Sequence, residues 1–181
     1  MRRATAVSLV GLAIMTVTGS VEAQNRQDRR GFWIGFGVGG GSFGCKDCNR
    51  EGGFSGHFKL GGTPSRKLLV GGETNGWVKE EEGATLSMSN VSAVVYFYPS
   101  ASGGFHLKGG LGLSVLSLDI DLGGGTTLST DDTGGGLLLG LGYDARLGRN
   151  FSLVPFFNFL GGSFDGDTAN FWQLGVGLTW H

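Results

Sequence analysis

The chain has 181 residues, of which 37 are glycine, 13 phenylalanine and 3 proline; 16% are charged and the formal net charge is −1. Glycine stands far above its usual share of about 7%, and charge falls short of the roughly 25% of a soluble domain. This excludes a collagen, a proline-rich linker and a charged disordered tail, and a net charge near zero gives no general attraction for nucleic acid. Abundant aromatic side chains with so few charges require a medium other than water around part of the surface.

The first residues carry the pattern of an export signal: Arg2 and Arg3, an uncharged apolar stretch from Ala4 to Val17, then Val21-Glu22-Ala23 at a cleavage position. The stretch falls short of the roughly 20 residues a membrane helix needs. The expected division is a signal peptide over 1–23, a short periplasmic tail over 24–30 and one barrel domain over 31–181.

Beyond the tail, period two replaces any helical period. Phe32, Ile34, Phe36 and Val38 alternate with Trp33 and glycines, and Phe54, Phe58 and Leu60 alternate with Ser55, His57 and Lys59. A third strand sets Leu68 and Val70 against Glu73 and Asn75. The fourth, from about Ala84 to Tyr98, leaves its facing open, since Val94, Tyr96 and Tyr98 compete with Val91, Val95 and Phe97. In the fifth, Phe105, Leu107, Leu111 and Leu113 oppose His106, Lys108, Gly110 and Gly112. The sixth sets Leu137, Leu139, Leu141, Tyr143 and Leu147 against Gly140, Gly142, Asp144 and Arg146. The seventh sets Phe151, Leu153, Phe157 and Phe159 against Ser152, Val154, Phe156 and Asn158. The eighth sets Trp172, Leu174, Val176, Leu178 and Trp180 against Gln173, Gly175, Gly177 and Thr179.

Eight strands are an even set that can close on itself, leaving no backbone edge unpaired in lipid. The connections alternate. Those at 62–66, 99–104 and 148–150 are short, whereas those at 45–53, 79–83, 119–134 and 161–170 are mostly longer and more polar, as in transmembrane barrels. If 148–150 closes the sixth and seventh strands, Leu141 pairs with Phe157 and Gly142 with Phe156. The expected fold is all-β: a closed antiparallel up-and-down transmembrane β-barrel.

Period two does not say which face points inward, and a soluble lipocalin-like barrel, with its apolar face inside, is the competing reading. Gly31-Phe32-Trp33 even resembles a lipocalin opening. Against it, the polar face is mostly Gly and Ser rather than Lys and Glu. The aromatics also divide by height: Phe32, Phe97, Tyr98, Phe105, Phe151 and Trp180 near the short turns, and Phe43, Phe54, Trp77, Phe159, Phe171 and Trp172 near the long connections. Two aromatic girdles around an apolar band suit a membrane.

The last strand resembles the C-terminal signal read by the outer-membrane barrel-assembly machinery, through Gln173, Gly175, Leu178 and Trp180, although His181 follows the aromatic. The chain is thereby similar to the eight-stranded outer-membrane barrels of the OmpA/OmpX type. The resemblance implies the outer membrane of a Gram-negative bacterium, with outer-membrane lipid and lipopolysaccharide as surroundings and the assembly machinery as a partner during biogenesis.

Cys45 and Cys48 form a C-x-x-C with no second pair to complete a zinc site; in an exported chain they read as a disulfide in the first outer loop. His57, Lys59, Glu73, His106, Lys108, Asp144 and Arg146 fall on the lumen face, where buried charges must pair, and are expected to form a polar plug. Neither His57 nor His106 stands in the His-x-Ser setting of a lipid A deacylase, no nucleophile triad is evident, and neither catalysis nor a cofactor is expected. The outer connections hold Asp47, Glu51, Glu80, Glu81, Glu82, Asp119, Asp121, Asp131, Asp132, Asp165 and Asp167 against Lys46, Arg50 and Lys79. Such carboxylates could take hard divalent cations, with plain solvation as the alternative. The functional expectation is a structural or surface-interaction barrel acting through its outer loops. A passive channel for a small or hydrophobic solute is the alternative, and a lipid-modifying enzyme is third.

Overall fold

The structure, a computed structural model, describes residues 29–46, 48–81, 84–121, 127–164 and 167–181. The expected signal peptide and most of the tail lie outside them, as do Asp47, Glu82 and Asp165. No helix among the described residues is long and apolar enough to cross a membrane, which leaves crossing by strands untouched.

The strands are β1 (Gly31–Cys45), β2 (Glu51–Ser65), β3 (Leu68–Glu81), β4 (Ala84–Phe97), β5 (Phe105–Asp121), β6 (Thr127–Tyr143), β7 (Ala145–Arg146), β8 (Phe151–Phe164) and β9 (Asp167–Trp180). Each neighbouring pair is antiparallel, and the β1–β9 and β6–β8 pairings close the ring. The two-residue β7 continues β6 past an interruption at Asp144, and both pair with β8, so the barrel has eight staves.

Hydrogen-bonded partners lead from Gly35 through Lys59, Glu73, Ser92, Gly112, Gly136, Gly162 and Ala169 back to β1 at Cys45, ten residues further along. That displacement is the barrel's shear, and closing eight strands with it requires them to tilt by roughly 35–45°. The expected pairs Leu141 with Phe157 and Gly142 with Phe156 are both present.

The facing is that of a membrane barrel. Leu111 and Leu174 are 70% and 69% exposed, whereas Glu73 and His106 are 2% and 1% exposed. A lipocalin-like interior would reverse these values. The fourth strand is resolved likewise: Val91, Val95 and Phe97 face out, and Val94, Tyr96 and Tyr98 face in.

Two expectations need correction. The long connections are mostly strand: β5 and β6 pair up to Asp121 and Thr127, so the segment read as a loop from 119 to 134 is the upper part of a tall hairpin. The girdle is also thinner than expected. Tyr98, Phe43, Trp77 and Phe171 all point into the lumen, leaving Phe54, Phe159 and Trp172 as the outward aromatics near the hairpins. Period two fixes a face only when the strand's phase is known, and height along the axis says nothing about phase.

Candidate functional site

The lumen is filled by side chains in three zones stacked along the axis by the register. The zone at the turn end, where β1 begins and β9 ends, is ionic. Lys108 Nζ donates to Glu73 Oε1 at 2.5 Å, and Tyr96 Oη donates to Glu73 Oε2, all three side chains being buried. Beside them Asp144 accepts from Tyr98 Oη at 2.9 Å and lies 3.6 Å from Arg29 Nη2, 3.5 Å from His106 Nδ1 and 3.9 Å from His181 Nε2. Arg29 also donates to the Gly103 carbonyl at 2.6 Å.

Among the described residues the buried set holds four cations, Arg29, Lys59, Lys108 and Arg146, against the carboxylates Glu73 and Asp144. Two tyrosine rings offset part of the imbalance. Arg29 lies 3.5 Å from the centre of the Tyr98 ring, and Lys59 and Lys108 lie 5.1 and 5.5 Å from that of Tyr96. Desolvated cation–π contacts contribute about 2 kcal/mol or more each.

All seven sequence-derived lumen residues point inward. The structure joins Glu73 to Lys108 and Asp144 to His106, places Lys59 over Tyr96, and stands His57 edge-on to Phe156 with ring centres 4.4 Å apart. The sequence reading missed Arg29, Tyr96, Tyr98 and His181. Arg29 and His181 flank the barrel strands, where alternation carries no signal, so Arg29 had been placed in the tail outside.

Above the ions lies an amide layer. Asn158 Nδ2 donates to Gln173 Oε1 at 2.8 Å, and Gln173 Nε2 donates to the carbonyls of Gly56 and Gly76 at 3.2 Å each. Asn90 donates to Ser114 at 3.1 Å and accepts from Ser92 at 2.6 Å. Gln173, the first residue of the C-terminal pattern, is therefore a lumen residue. In that same pattern Leu178 is half-buried and Trp180 faces out at the turn end.

The hairpin end of the lumen is apolar, where a polar plug had been expected throughout. Phe43 stacks on Trp77 with ring centres 5.0 Å apart, and Met88, Leu138, Leu160, Phe164, Ala169 and Phe171 belong to the same buried cluster, which Leu86 and Leu116 extend and which reaches Trp33, Leu69, Val94, Tyr96 and Tyr98 at the turn end. Fully burying such side chains contributes roughly 1.5–3 kcal/mol each.

Glycine on the small lumen positions leaves room for these groups. At Gly142 an added Cβ would come 2.8 Å from His106 Nε2 and 3.1 Å from the Pro155 carbonyl. The group that fills this space is His106, not the cross-strand partner Phe156.

The rim of the hairpin end is charged. Lys79 Nζ bridges Glu51 at 2.5 Å and Glu81 at 2.7 Å. These hydrogen bonds raise the Lys79 pKa, Glu51 contributing most, and lower that of Glu81. Two of the acidic residues offered for a cation are thus already engaged by an amine, and no group of three or more His, Cys, Asp or Glu that could hold a metal occurs among the described residues. Cys45 and Cys48 stand at the tip of the first hairpin with sulfurs 2.03 Å apart.

The described residues thus form a closed eight-stave barrel with an apolar outer band and a lumen filled by side chains. The sequence matches the outer membrane protein beta-barrel domain over residues 11–179. The chain belongs to this family. It is an integral outer-membrane barrel of Gram-negative type. Solved structures agree on the fold. Ail, the attachment invasion locus protein of Yersinia pestis, in complex with the heparin analogue sucrose octasulfate, superposes with a TM-score of 0.65 at 18% identity, covering 84% of this chain and 100% of Ail. Neisserial surface protein A gives 0.63 at 16%, over 85% and 99%. OprG of Pseudomonas aeruginosa gives 0.50 at 12%, over 87% and 99%. Comparison with curated proteins finds no match. At these identities the likeness to solved structures carries the fold and no particular ligand.

Proposed function

We propose that this outer-membrane barrel acts through its surface, as a structural element whose tall hairpins face the cell exterior and carry recognition. The observation that supports it is the filled lumen. Buried ions, an amide layer and an aromatic cluster succeed one another from end to end, so the interior serves as a folding core. The hairpins hold the accessible polar surface: residues 127–133 of β6 are all exposed, and Asp119, Asp121, Asp131 and Asp132 crowd the β5–β6 hairpin. A binding partner for that hairpin is cationic or is bridged by divalent cations, in contrast to the polyanion bound by Ail.

In this reading the lumen ions hold the barrel shut, the Cys45–Cys48 pair is a disulfide that tightens the first hairpin, and the last strand directs insertion by the assembly machinery. Residues 1–23 are the export signal. An epitope placed between Asp121 and Thr127 should be labelled by antibody on intact cells, and the purified barrel should give no conductance above background in planar bilayers. Steady conductance would replace this reading with the passive channel, and an unlabelled epitope would remove the surface role.

A further inference from the structure

One feature of the outer wall lies outside the lumen, where the apolar band meets the bases of the hairpins. A groove of about 640 Å³ crosses the outside of β5, β6, β8 and β9 at the hairpin-side edge of the apolar band. Its lower end is lined by Leu111, Leu137 and Phe159, and its upper end by Ser163, Thr168 and Asn170. In between, Gly135 and Gly161 leave the wall bare. A Cβ added at Gly135 would meet nothing within 4 Å, and one at Gly161 would make only ordinary contact with the Phe159 ring at 3.8 Å.

Arg50 stands at the polar end. Its side chain lies over Gly44 on the outer face, where an added Cβ would come 3.1 Å from Arg50 Cγ. Nη1 donates to the Ser42 carbonyl at 2.9 Å, Nη2 donates to Asn170 Oδ1, and the guanidinium carbon is 5.7 Å from the centre of the outward-facing Trp172 ring. All these partners are neutral, and no carboxylate pairs with Arg50 among the described residues. The result is an oriented cation on the lipid-facing wall beside an interfacial tryptophan.

We infer that this groove and Arg50 form a binding site for one acylated membrane lipid with a phosphate headgroup of net negative charge, its chain lying over Gly135 and Gly161 and its phosphate, with no choline cation to offset it, meeting Arg50 and Asn170. Three observations select this occupant. The groove opens on the face that lipid covers. Its change from Leu and Phe to Ser, Thr and Asn follows the order of chain and headgroup. The guanidinium at its polar end is matched in charge and geometry to a phosphate. The site holds whether or not the hairpin tips recognise anything.

The test is contact quenching of Trp172 by bromine-labelled lipid. The folded barrel carries Trp180→Phe, since Trp33 and Trp77 are buried in the lumen and Trp180 is the other outward tryptophan. It is placed in phosphatidylcholine vesicles with a guest of either dibrominated phosphatidylglycerol or dibrominated phosphatidylcholine. The anionic guest should quench as though enriched roughly fivefold at the site, the effect of about one Arg near an anionic surface. Arg50→Gln should abolish that excess and leave quenching by phosphatidylcholine unchanged. Gly135→Leu, whose Cβ meets nothing within 4 Å, should lower quenching by both guests, and heat-modifiable gel migration shows that each variant is folded. Equal quenching by the two guests, or an excess that survives Arg50→Gln, overturns the anionic headgroup site. Unchanged quenching in Gly135→Leu, or loss of the excess on adding inorganic phosphate, overturns the acyl groove. Detached vesicles report neither surface display nor conductance, so failure here is separate from failure of the surface role.

Discussion

The two ends of one lumen solve the same packing problem with opposite chemistry. At the turn end Glu73, Lys108 and Tyr96, and Asp144 with Arg29 and Tyr98, are buried and mutually bonded. At the hairpin end Phe43, Trp77, Met88, Phe164 and Phe171 touch without hydrogen-bonding one another. Both occupy the inward positions of the same alternating strands. The ionic end overcomes desolvation only while every partner is present, whereas the apolar end depends on volume alone. A single change at the ionic end should therefore be repairable by also removing its partner, whereas a cavity at the apolar end should not.

The largest expected effects sharpen that contrast. Glu73→Ala leaves Lys108 buried without its carboxylate and should cost about 3–5 kcal/mol, read from urea unfolding in lipid vesicles. The double change Glu73→Leu with Lys108→Met should recover most of the loss. Trp77→Ala should cost a similar amount, about 3–5 kcal/mol, but no second truncation in the apolar cluster should recover any of it. If Glu73→Ala and the double variant unfold alike, the ionic end does not depend on pairing and the comparison breaks.

Facing comes next in size. Leu141→Arg puts a cation on the lipid side near the middle of the apolar band and should cost roughly 2–4 kcal/mol. A spin label at position 139 or 141 should be reached by oxygen and shielded from a water-soluble relaxation agent; labels buried from both would mean that the face is wrong. Gly142→Leu drives a side chain against His106 and the Pro155 carbonyl and should cost about 1–3 kcal/mol through overpacking. Combining it with His106→Ala should return part of that loss, which would not happen if Phe156 were the group it strikes. The smallest effect belongs to the rim: Lys79→Met breaks two exposed ion pairs and should leave the unfolding midpoint unchanged, because water screens both.

Much of the lumen was legible one strand at a time. His57, Lys59, Glu73, His106, Lys108, Asp144 and Arg146 alternate with apolar neighbours, and each strand with a clear phase announced its inward face. The hairpin end was not legible in this way. On β1 and β3 the inward residues change from Trp33 and Gly35 to Phe43, and from Glu73 and Asn75 to Trp77. An aromatic at the height of the interface reads equally as a girdle residue or as a plug.

The sequence by itself determined the even set of strands, the apolar outer face of most strands and most of the inward set of ionisable groups, because side-chain alternation is a property of neighbouring residues. Only the tertiary structure decided that β4 turns Tyr96 and Tyr98 inward, that Arg29 enters the base of the lumen, and that Lys108 reaches Glu73 while Arg50 reaches Asn170. Those meetings depend on the ten-residue stagger accumulated around the closed ring. The stagger is a sum over every pairing in the barrel, and no single strand contains it.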